Sequence, residues 1–517
     1  MRDIKKRNIY IFLILTILLL LHGLNNYYIL VKSRYCLNYD SIDYFNHAIE
    51  VSQILRSTQL SLQSFFHSID LILDYTFKPP LFFLTAAPFL FLGIDKNIIA
   101  MSNLFYFAIL LFATYGIGKR LYNFKVGILA SFLVSMFPAI FTQSRVIMVD
   151  FALTAMVALT FYLFILNKFS SFRFSLLAGL VIGLGALTKQ SYFIFLVPIL
   201  VYFFLQKDNV KNIQKVRGFI FTILSGVLIA VIYYMHVPLP LSYYQHSFQY
   251  KTHPDPFFYF YTLFNHQLFP VFSLFFLGSL VFYIRKKKYF FPVMIFTLLL
   301  VFSIAPSKQC RFVLPIFPYV AVMISEFTLS LSKIRRTHVA ILVLFSLLQY
   351  VMISYGGSLF IRYNPAKKIL LDLPKFGVGE IGFFQKLDEG NWYGPAEEII
   401  KIVNDNAKKN KIDRIKIIVI GQHWRMHSAI NYLSIIQKNP IKATIEWVFF
   451  WEENKDCDFD INQSDFIVLE RMPPGGMWFP TKHFFKAFNR DLAKFIFVKN
   501  VAFPDNCLSA IYMKSNQ

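Results

Sequence analysis

The sequence predicts a polytopic α-helical membrane domain followed by a small soluble α/β domain. Three observations carry that prediction. Of 517 residues, 56% are hydrophobic and only 16% are charged, with mean hydropathy +0.51, against about 25% charged in ordinary globular chains. Apolar runs long enough to span a bilayer alternate with short basic clusters as far as residue 356. Beyond Gly356-Gly357 the composition becomes that of a water-soluble domain, so the expected domains are 1–356 and 357–517.

The net charge of +23 could indicate nucleic acid. The Lys and Arg residues instead fall between apolar runs, where they set topology, and no nucleic-acid partner is expected. The 61 phenylalanines suit a lipid-facing surface, helix packing and a groove for an isoprenoid chain. The four cysteines show no metal-ligand spacing. Cys457 and Cys507 fall in the soluble part and could pair in an oxidising compartment.

Taken in order, the basic residues Lys5-Lys6-Arg7 precede a long apolar run, Ile9 to Val31, with no small-residue cleavage site after it. This reads as a first span with its N-terminus in the cytoplasm. Residues 32–78 form a first outer loop. There Ile42, Phe45, Ile49, Ser52, Ile54 and Leu55 recur near helical spacing, which predicts amphipathic helices along the membrane surface. The next apolar segment, Pro79 to Ile94, is short and contains Pro79, Pro80 and Pro88. Treated as interfacial or re-entrant, it leaves Lys119, Arg120, Lys125, Lys168, Arg173, the 207–217 cluster, Arg285 to Lys288 and Lys333 to Arg336 all on the inner side.

The expected spans are 9–31, 98–118, 126–143, 148–166, 173–188, 191–205, 217–236, 267–284, 290–305, 312–331 and 337–356, with one or two helices split. Eleven spans place the loops bearing Asp40, Asp150, His253 and Lys308 on the same outer face as the C-terminal domain. In that domain, Pro395 to Val403 reads as a helix with a charged face, and Ile415 to Ile420 as a buried strand ending at Gly421. Thr444–Trp451 and Phe466–Glu470 read as further strands, with a helical stretch between Met426 and Gln437.

Four outer-loop elements carry polar residues that topology alone does not require: Asp40 with Asp43; Lys78 held extended ahead of Pro79-Pro80; Arg145 with Asp150 at a tight turn; and Ser307-Lys308-Gln309-Cys310-Arg311 at another. Carboxylates and several cations on one face suit a phosphate group handled at the membrane surface, with Arg supplying a bidentate fork and Lys a point charge.

In order, the chain contains Asp40-Ser41-Ile42-Asp43-Tyr44, Lys78-Pro79-Pro80-Leu81-Phe82, Ser144-Arg145-Val146-Ile147-Met148-Val149-Asp150, Gly183 to Lys189, and Ser307 to Pro318. This arrangement resembles the GT-C superfamily of integral-membrane glycosyltransferases, in the branch of protein O-mannosyltransferases and lipid A aminoarabinose transferases. The resemblance covers residues 8–356, and the C-terminal part is similar to outer-face domains appended to some members. It implies transfer of a sugar from a polyprenyl or dolichyl phosphate donor, with inversion, to a lipid, glycan or protein acceptor on the non-cytoplasmic side. The expected location is a prokaryotic plasma membrane. Asp40 maps to the first carboxylate of an Asp-Glu pair and is the implied catalytic residue; Ser41 stands where the family has Glu. Asp150 matches a second acidic position, and Lys78 a position that contacts the lipid phosphate. Arg145, Lys308 and Arg311 are partners for the same charge, with Asp43, Tyr44 and Lys189 in support. Some members bind a divalent metal nearby. Phe77 stands before Lys78 where an acid would serve as ligand, so the ligand set stays open, with His253 and His266 as candidates. The alternatives are a transporter or flippase for a lipid-linked or anionic solute, and an oligosaccharide ligase. Most charges lie in loops and no halves repeat, which disfavours the transporter.

Overall fold

A computed structural model describes residues 2–32, 37, 39–59, 61–75, 78–236, 255–305, 307–331, 335–359, 393–412, 414–420, 424–436, 442–448, 463–471, 492–502 and 508–515. Contacts divide the chain into one unit of Met1–Lys32 and Tyr44–Gln385 and another of Ser33–Asp43 and Lys386–Gln517. The expected boundary at 356/357 falls within the helix Arg335–Leu359, and Cys457, Cys507 and His253 lie outside the described residues.

Among the described residues, the regular elements of the first unit are all helical. Its elements begin with α1 (Arg2–Lys32), α2 (Tyr39–Ser57, whose first residues precede the unit), α3 (Leu62–Tyr75) and α4 (Leu81–Ala86), which a 3₁₀ turn (Ala87–Phe91) extends. There follow α5 (Lys96–Met101), α6 (Asn103–Leu121), α7 (Phe124–Met136), α8 (Pro138–Gln143), α9 (Val149–Leu166), α10 (Phe172–Ala186), α11 (Tyr192–Leu205), α12 (Lys207–Lys211) and α13 (Ile213–His236). The remainder are α14 (Phe258–Thr262), α15 (Phe269–Arg285), α16 (Phe290–Ile304), a 3₁₀ helix (Cys310–Ile316), α17 (Phe317–Ser330) and α18 (Arg335–Leu359).

Each of the eleven expected spans has a helical counterpart, and six are long and apolar enough to cross a membrane: Ile9–Lys32, Lys96–Leu121, Val149–Leu166, Ile213–His236, Cys310–Ser330 and Arg336–Tyr355. Residues 126–143, expected as one span, break at Phe137, whose ψ of 129° is extended because Pro138 follows. The segment at 81–91 is helical over 11 residues, a rise of about 16 Å against a hydrocarbon core of about 30 Å. It is too short to span alone, as its prolines suggested.

Packing separates central from peripheral helices. In α9, 83% of the span is buried, and in Cys310–Ser330, 78%; the figures fall to 28% in Ile213–His236 and 22% in Arg336–Tyr355. A helix that is apolar all round and buried all round belongs in the middle of a bundle, and α9 takes that place. Close crossings depend on glycine. A Cβ on Gly218 would lie 1.7 Å from the Phe169 carbonyl oxygen, and one on Gly179 would lie 2.7 Å from that of Thr222. These glycines let α10 and α13 meet backbone to backbone, as small residues do in membrane helix pairs.

Two contacts seat α2. Near its start, the Tyr44 and His47 rings lie 5.9 and 5.3 Å from the Phe83 ring of α4. Near its end, Arg56 donates to the Leu90 carbonyl (2.6 Å) and stacks over Phe91. The predicted first-loop helices are thus real helices, with α2 running along the 81–91 segment.

The C-terminal part has α19 (Tyr393–Lys409), α20 (Trp424–Ile436) and strands β1 (Arg414–Ile420), β2 (Lys442–Val448), β3 (Phe466–Arg471), β4 (Phe495–Ala502) and β5 (Leu508–Lys514). The sheet order is β2-β1-β3-β5-β4, with β1 parallel to β2 and β3, and β5 antiparallel to β3 and β4. Ile418, Ile420, Ile467 and Phe495 form its core. On α19, Ala396, Ile399, Ile400, Val403 and Ala407 are buried, a helical stripe. The antiparallel edge made by β4 and β5 was not anticipated. Exposed side chains interrupt the β4 pattern, and a register shift lies between Phe497 and Lys499.

Candidate functional site

One end of the helical unit collects Asp150, Lys189, the Ser307–Arg311 loop and the Lys78 segment. At its centre is Asp150, in the first turn of α9, where a carboxylate complements the helix dipole. It is fully buried. Lys189, on the turn that follows α10, donates from Nζ to Asp150 Oδ1 at 2.6 Å. Arg311, in the 3₁₀ helix after the Ser307–Gln309 loop, lies with Nε 3.6 Å from Asp150 Oδ2. Its Nη1 approaches Met148 Sδ at 2.6 Å. Phe312 lies beside both cations, its ring centroid 4.5 Å from Lys189 Nζ and 5.7 Å from the Arg311 guanidinium carbon.

Residues 39, 161 and 163 positions apart in sequence therefore meet through three turns. Each turn is locally specified. Gly185 leaves room for the Tyr192 ring, which a Cβ would approach to 2.3 Å, so the chain can double back at Thr188 and Lys189. Asn103 Nδ2 holds the turn before α9 by donating to the Val146 carbonyl at 2.7 Å. Gln309, extended at φ −140° and ψ 139°, opens the 3₁₀ helix. Its backbone N–H donates to the Tyr259 hydroxyl at 3.3 Å.

The Lys78 element joins the same end. Leu81 N–H donates to the Leu187 carbonyl at 2.9 Å, coupling the start of α4 to the Lys189 turn. Lys78 Nζ sits 4.3 Å from the centroid of the Tyr44 ring, a cation–π contact that brings the supporting Tyr44 into play. Lys308 is buried beside Arg311 in sequence. Asp40 lies in the first turn of α2, partly buried, with Asp43 on the following turn; both precede the helical unit and are described with the other one.

Arg145 goes elsewhere. Its Nε donates to Asn26 Oδ1 (2.8 Å) and its Nη2 to Ser354 Oγ (2.9 Å). Burial pulls its pKa below the usual arginine value, and the nearby Tyr350 hydroxyl opposes that shift. Tyr259 is a site residue that sequence reasoning did not single out. Burial pushes its phenol up, the Gln309 N–H opposes this, and the charges of Asp150 and Arg311 act on it as well. No motif or spacing marks it, because its place comes from α14 packing against the 3₁₀ helix.

For a metal, the donor set is a poor fit. Asp150 Oδ1 is engaged by Lys189 and Oδ2 faces Arg311, so the carboxylate is already matched by cations. Among the described residues no group of three or more His, Cys, Asp or Glu gathers to hold an ion. His253 and the His266 side chain lie outside the described residues. Chemically, the site is a cationic surface anchored on one buried acid. Lys189 and Arg311 both bear on Asp150, and Lys308 and Lys78 lie on neighbouring segments.

Residues 77–236 match the family described as dolichyl-phosphate-mannose-protein mannosyltransferase. The fold is similar to that of ArnT from Cupriavidus metallidurans bound to undecaprenyl phosphate, with TM-score 0.58 and 10% identity over 96% of this chain and 97% of that one. It is similar also to the apo state of the same protein, with TM-score 0.57 and 10% identity over 98% of each chain. No curated protein matches the sequence. The chain thus has a fold like that of ArnT.

Proposed function

We propose that the protein transfers a sugar from a polyprenyl or dolichyl phosphate to an acceptor on the non-cytoplasmic side of the membrane, with inversion at the anomeric carbon. The observation that carries this reading is the buried Asp150–Lys189–Arg311 constellation, coupled by a backbone hydrogen bond to the Lys78 segment. The matched family region, 77–236, contains Lys78, Arg145, Asp150 and Lys189. The similar ArnT fold, which binds undecaprenyl phosphate, supports a lipid phosphate as the anionic group.

The chemistry follows from where charge develops. When an acceptor attacks the anomeric carbon, the bond to the phosphate oxygen breaks and negative charge accumulates on the departing polyprenyl phosphate. Cations fixed before the reaction stabilise that charge more than they stabilise the ground state, with no reorganisation during the step. Arg311, Lys308 and Lys78 would face the phosphate. Asp150 would hold Lys189 and Arg311 at set positions and keep their mutual repulsion low. Asp40 would accept the proton of an acceptor hydroxyl, worth about 10²–10⁴-fold. Asp43 and Tyr44 would support it from the same helix. An acceptor that is itself a phosphate needs no base, and Asp40 would then orient it.

The test compares the wild type with Asp40→Asn in membranes supplied with a polyprenyl-phosphate-linked sugar, with mass spectrometry of the products. Loss of sugar transfer from a folded, membrane-inserted variant is the expected result. Undiminished transfer to a hydroxyl acceptor would remove Asp40 from the chemistry. Absence of transfer by the wild type, together with movement of an intact lipid-linked sugar across the bilayer, would replace the reading with a flippase.

A further inference from the structure

Three segments of the helical unit meet at one buried guanidinium. Besides its bonds to Asn26 of α1 and Ser354 of α18, Arg145 lies 5.0 Å from the centroid of Phe141 and 5.6 Å from that of Tyr350. Asn26 closes a ring, donating from Nδ2 to Ser144 Oγ at 2.9 Å, and Ser144 passes its own proton to the Phe141 carbonyl. Since arginine can only donate, the Asn26 oxygen must face it and the amide nitrogen must face Ser144. Around this ring, Asn25 Nδ2 donates to the Tyr350 hydroxyl (2.6 Å), which also lies 3.3 Å from His22 Nδ1, and the Tyr355 hydroxyl donates to Asn25. Asn25 and His22 are on α1, Tyr350 and Tyr355 on α18.

A phosphate-binding arginine needs free donors directed at the ligand. Two arms of this fork are instead committed to neutral partners on different helices. Burying a cation among neutral groups is costly unless its donors are satisfied, so the network has a demanding geometry. The positions of its members are informative. Asn26 lies six residues before the end of α1, beyond which the chain enters α2 and Asp40. Ser354 lies five residues before the end of α18. Arg145 lies five residues before Asp150, on the turn that starts α9.

We infer that Arg145 is a positioning residue: it fastens the ends of α1 and α18 to the turn that sets Asp150, and does not itself contact the donor phosphate. The inference rests on the glycosyl-transfer reading for its kinetic consequence, while its mechanical consequence stands independently. Lysine keeps the charge but cannot bridge two partners with a rigid fork, so Arg145→Lys and Arg145→Met should behave alike.

In the full-length protein, both variants should lower kcat by about tenfold or more, since small displacements of reacting groups cost that much. Donor KM, and Kd for polyprenyl phosphate alone, should change less than about twofold. Near-normal kcat in Arg145→Lys with raised donor KM and phosphate Kd in Arg145→Met would establish a phosphate contact and overturn the inference. Asn26→Asp retains an acceptor for the guanidinium and should keep the rate, whereas Asn26→Leu should lose about tenfold; a normal rate in Asn26→Leu overturns it. Amide hydrogen exchange supplies a readout that needs no turnover. In Arg145→Met, residues 22–32 and 350–359 should exchange faster while β1 of the sheet is unchanged, and unaltered exchange at both helix ends overturns the inference whether or not the protein transfers sugar. Should Arg145→Met fail to fold, Ser354→Ala, which removes one bond, should speed exchange at 350–359, and no change there is equally decisive against it.

Discussion

Replacing Lys189 with Met removes the hydrogen bond from Lys189 to Asp150 Oδ1 and, among the described residues, leaves the carboxylate facing the Arg311 Nε at 3.6 Å. At 2.6 Å, two opposite charges attract by about 6 kcal/mol at an effective dielectric of about 20. Much of that attraction offsets desolvation, so the measurable loss on breaking a buried pair is about 3–5 kcal/mol. The pair is not symmetric. Asp150 is 0% exposed, whereas the Lys189 side chain is 21% exposed. A lysine freed of its partner can turn its ammonium toward water along a flexible stem, but the carboxylate has nowhere to go. Lys189→Met should therefore destabilise by about 3–5 kcal/mol, and Asp150→Asn, which leaves the Lys189 and Arg311 charges facing each other, by a comparable amount. The double variant should be less damaged than the two losses added, with a coupling of about 2 kcal/mol or more. Thermal and denaturant unfolding of the four detergent-solubilised proteins measures all of these quantities. If Lys189→Met costs less than about 1 kcal/mol, or the coupling is under about 0.5 kcal/mol, the carboxylate is hydrated or otherwise partnered, and the anchoring role assigned to it is wrong.

Two further outcomes are expected. Lys78→Ala removes the ammonium stacked on Tyr44 and should raise donor KM by about tenfold with little change in stability; titration with polyprenyl phosphate checks this, and unchanged affinity separates Lys78 from the phosphate. Gly218→Ala places a methyl 1.7 Å from the Phe169 carbonyl, a backbone atom that cannot rotate away. Forcing α13 away from the turn before α10 should cost about 1–3 kcal/mol, seen as a lowered unfolding midpoint and yield.

The sequence by itself determined the apolar helices and the first-loop helices, because these follow from local quantities. A bilayer-length apolar run, a basic flank and a proline pair act over fewer than thirty residues and need no knowledge of neighbours. The short 81–91 helix was legible for the same reason, since proline constrains its own segment, whereas the break at Phe137 was expected as continuous helix and came from the structure. In the C-terminal part, the buried parallel strands β1 and β3 announced themselves as apolar runs, whereas β4 carries a mixed pattern and owes its place to pairing with β5.

Only the tertiary structure decided how the charges are used. Asp150 and Arg145 are five residues apart and the sequence assigned both to one site, yet Asp150 is matched by Lys189 and Arg311 while Arg145 bonds to Asn26 and Ser354. Lys189, a supporting residue in the sequence reading, became the nearest partner of the buried acid. Tyr259 carries no motif at all. Charge is a property of one residue and is visible in a sequence, but an ion pair depends on which turns of the bundle lie side by side. That is set by the packing of helices from distant parts of the chain.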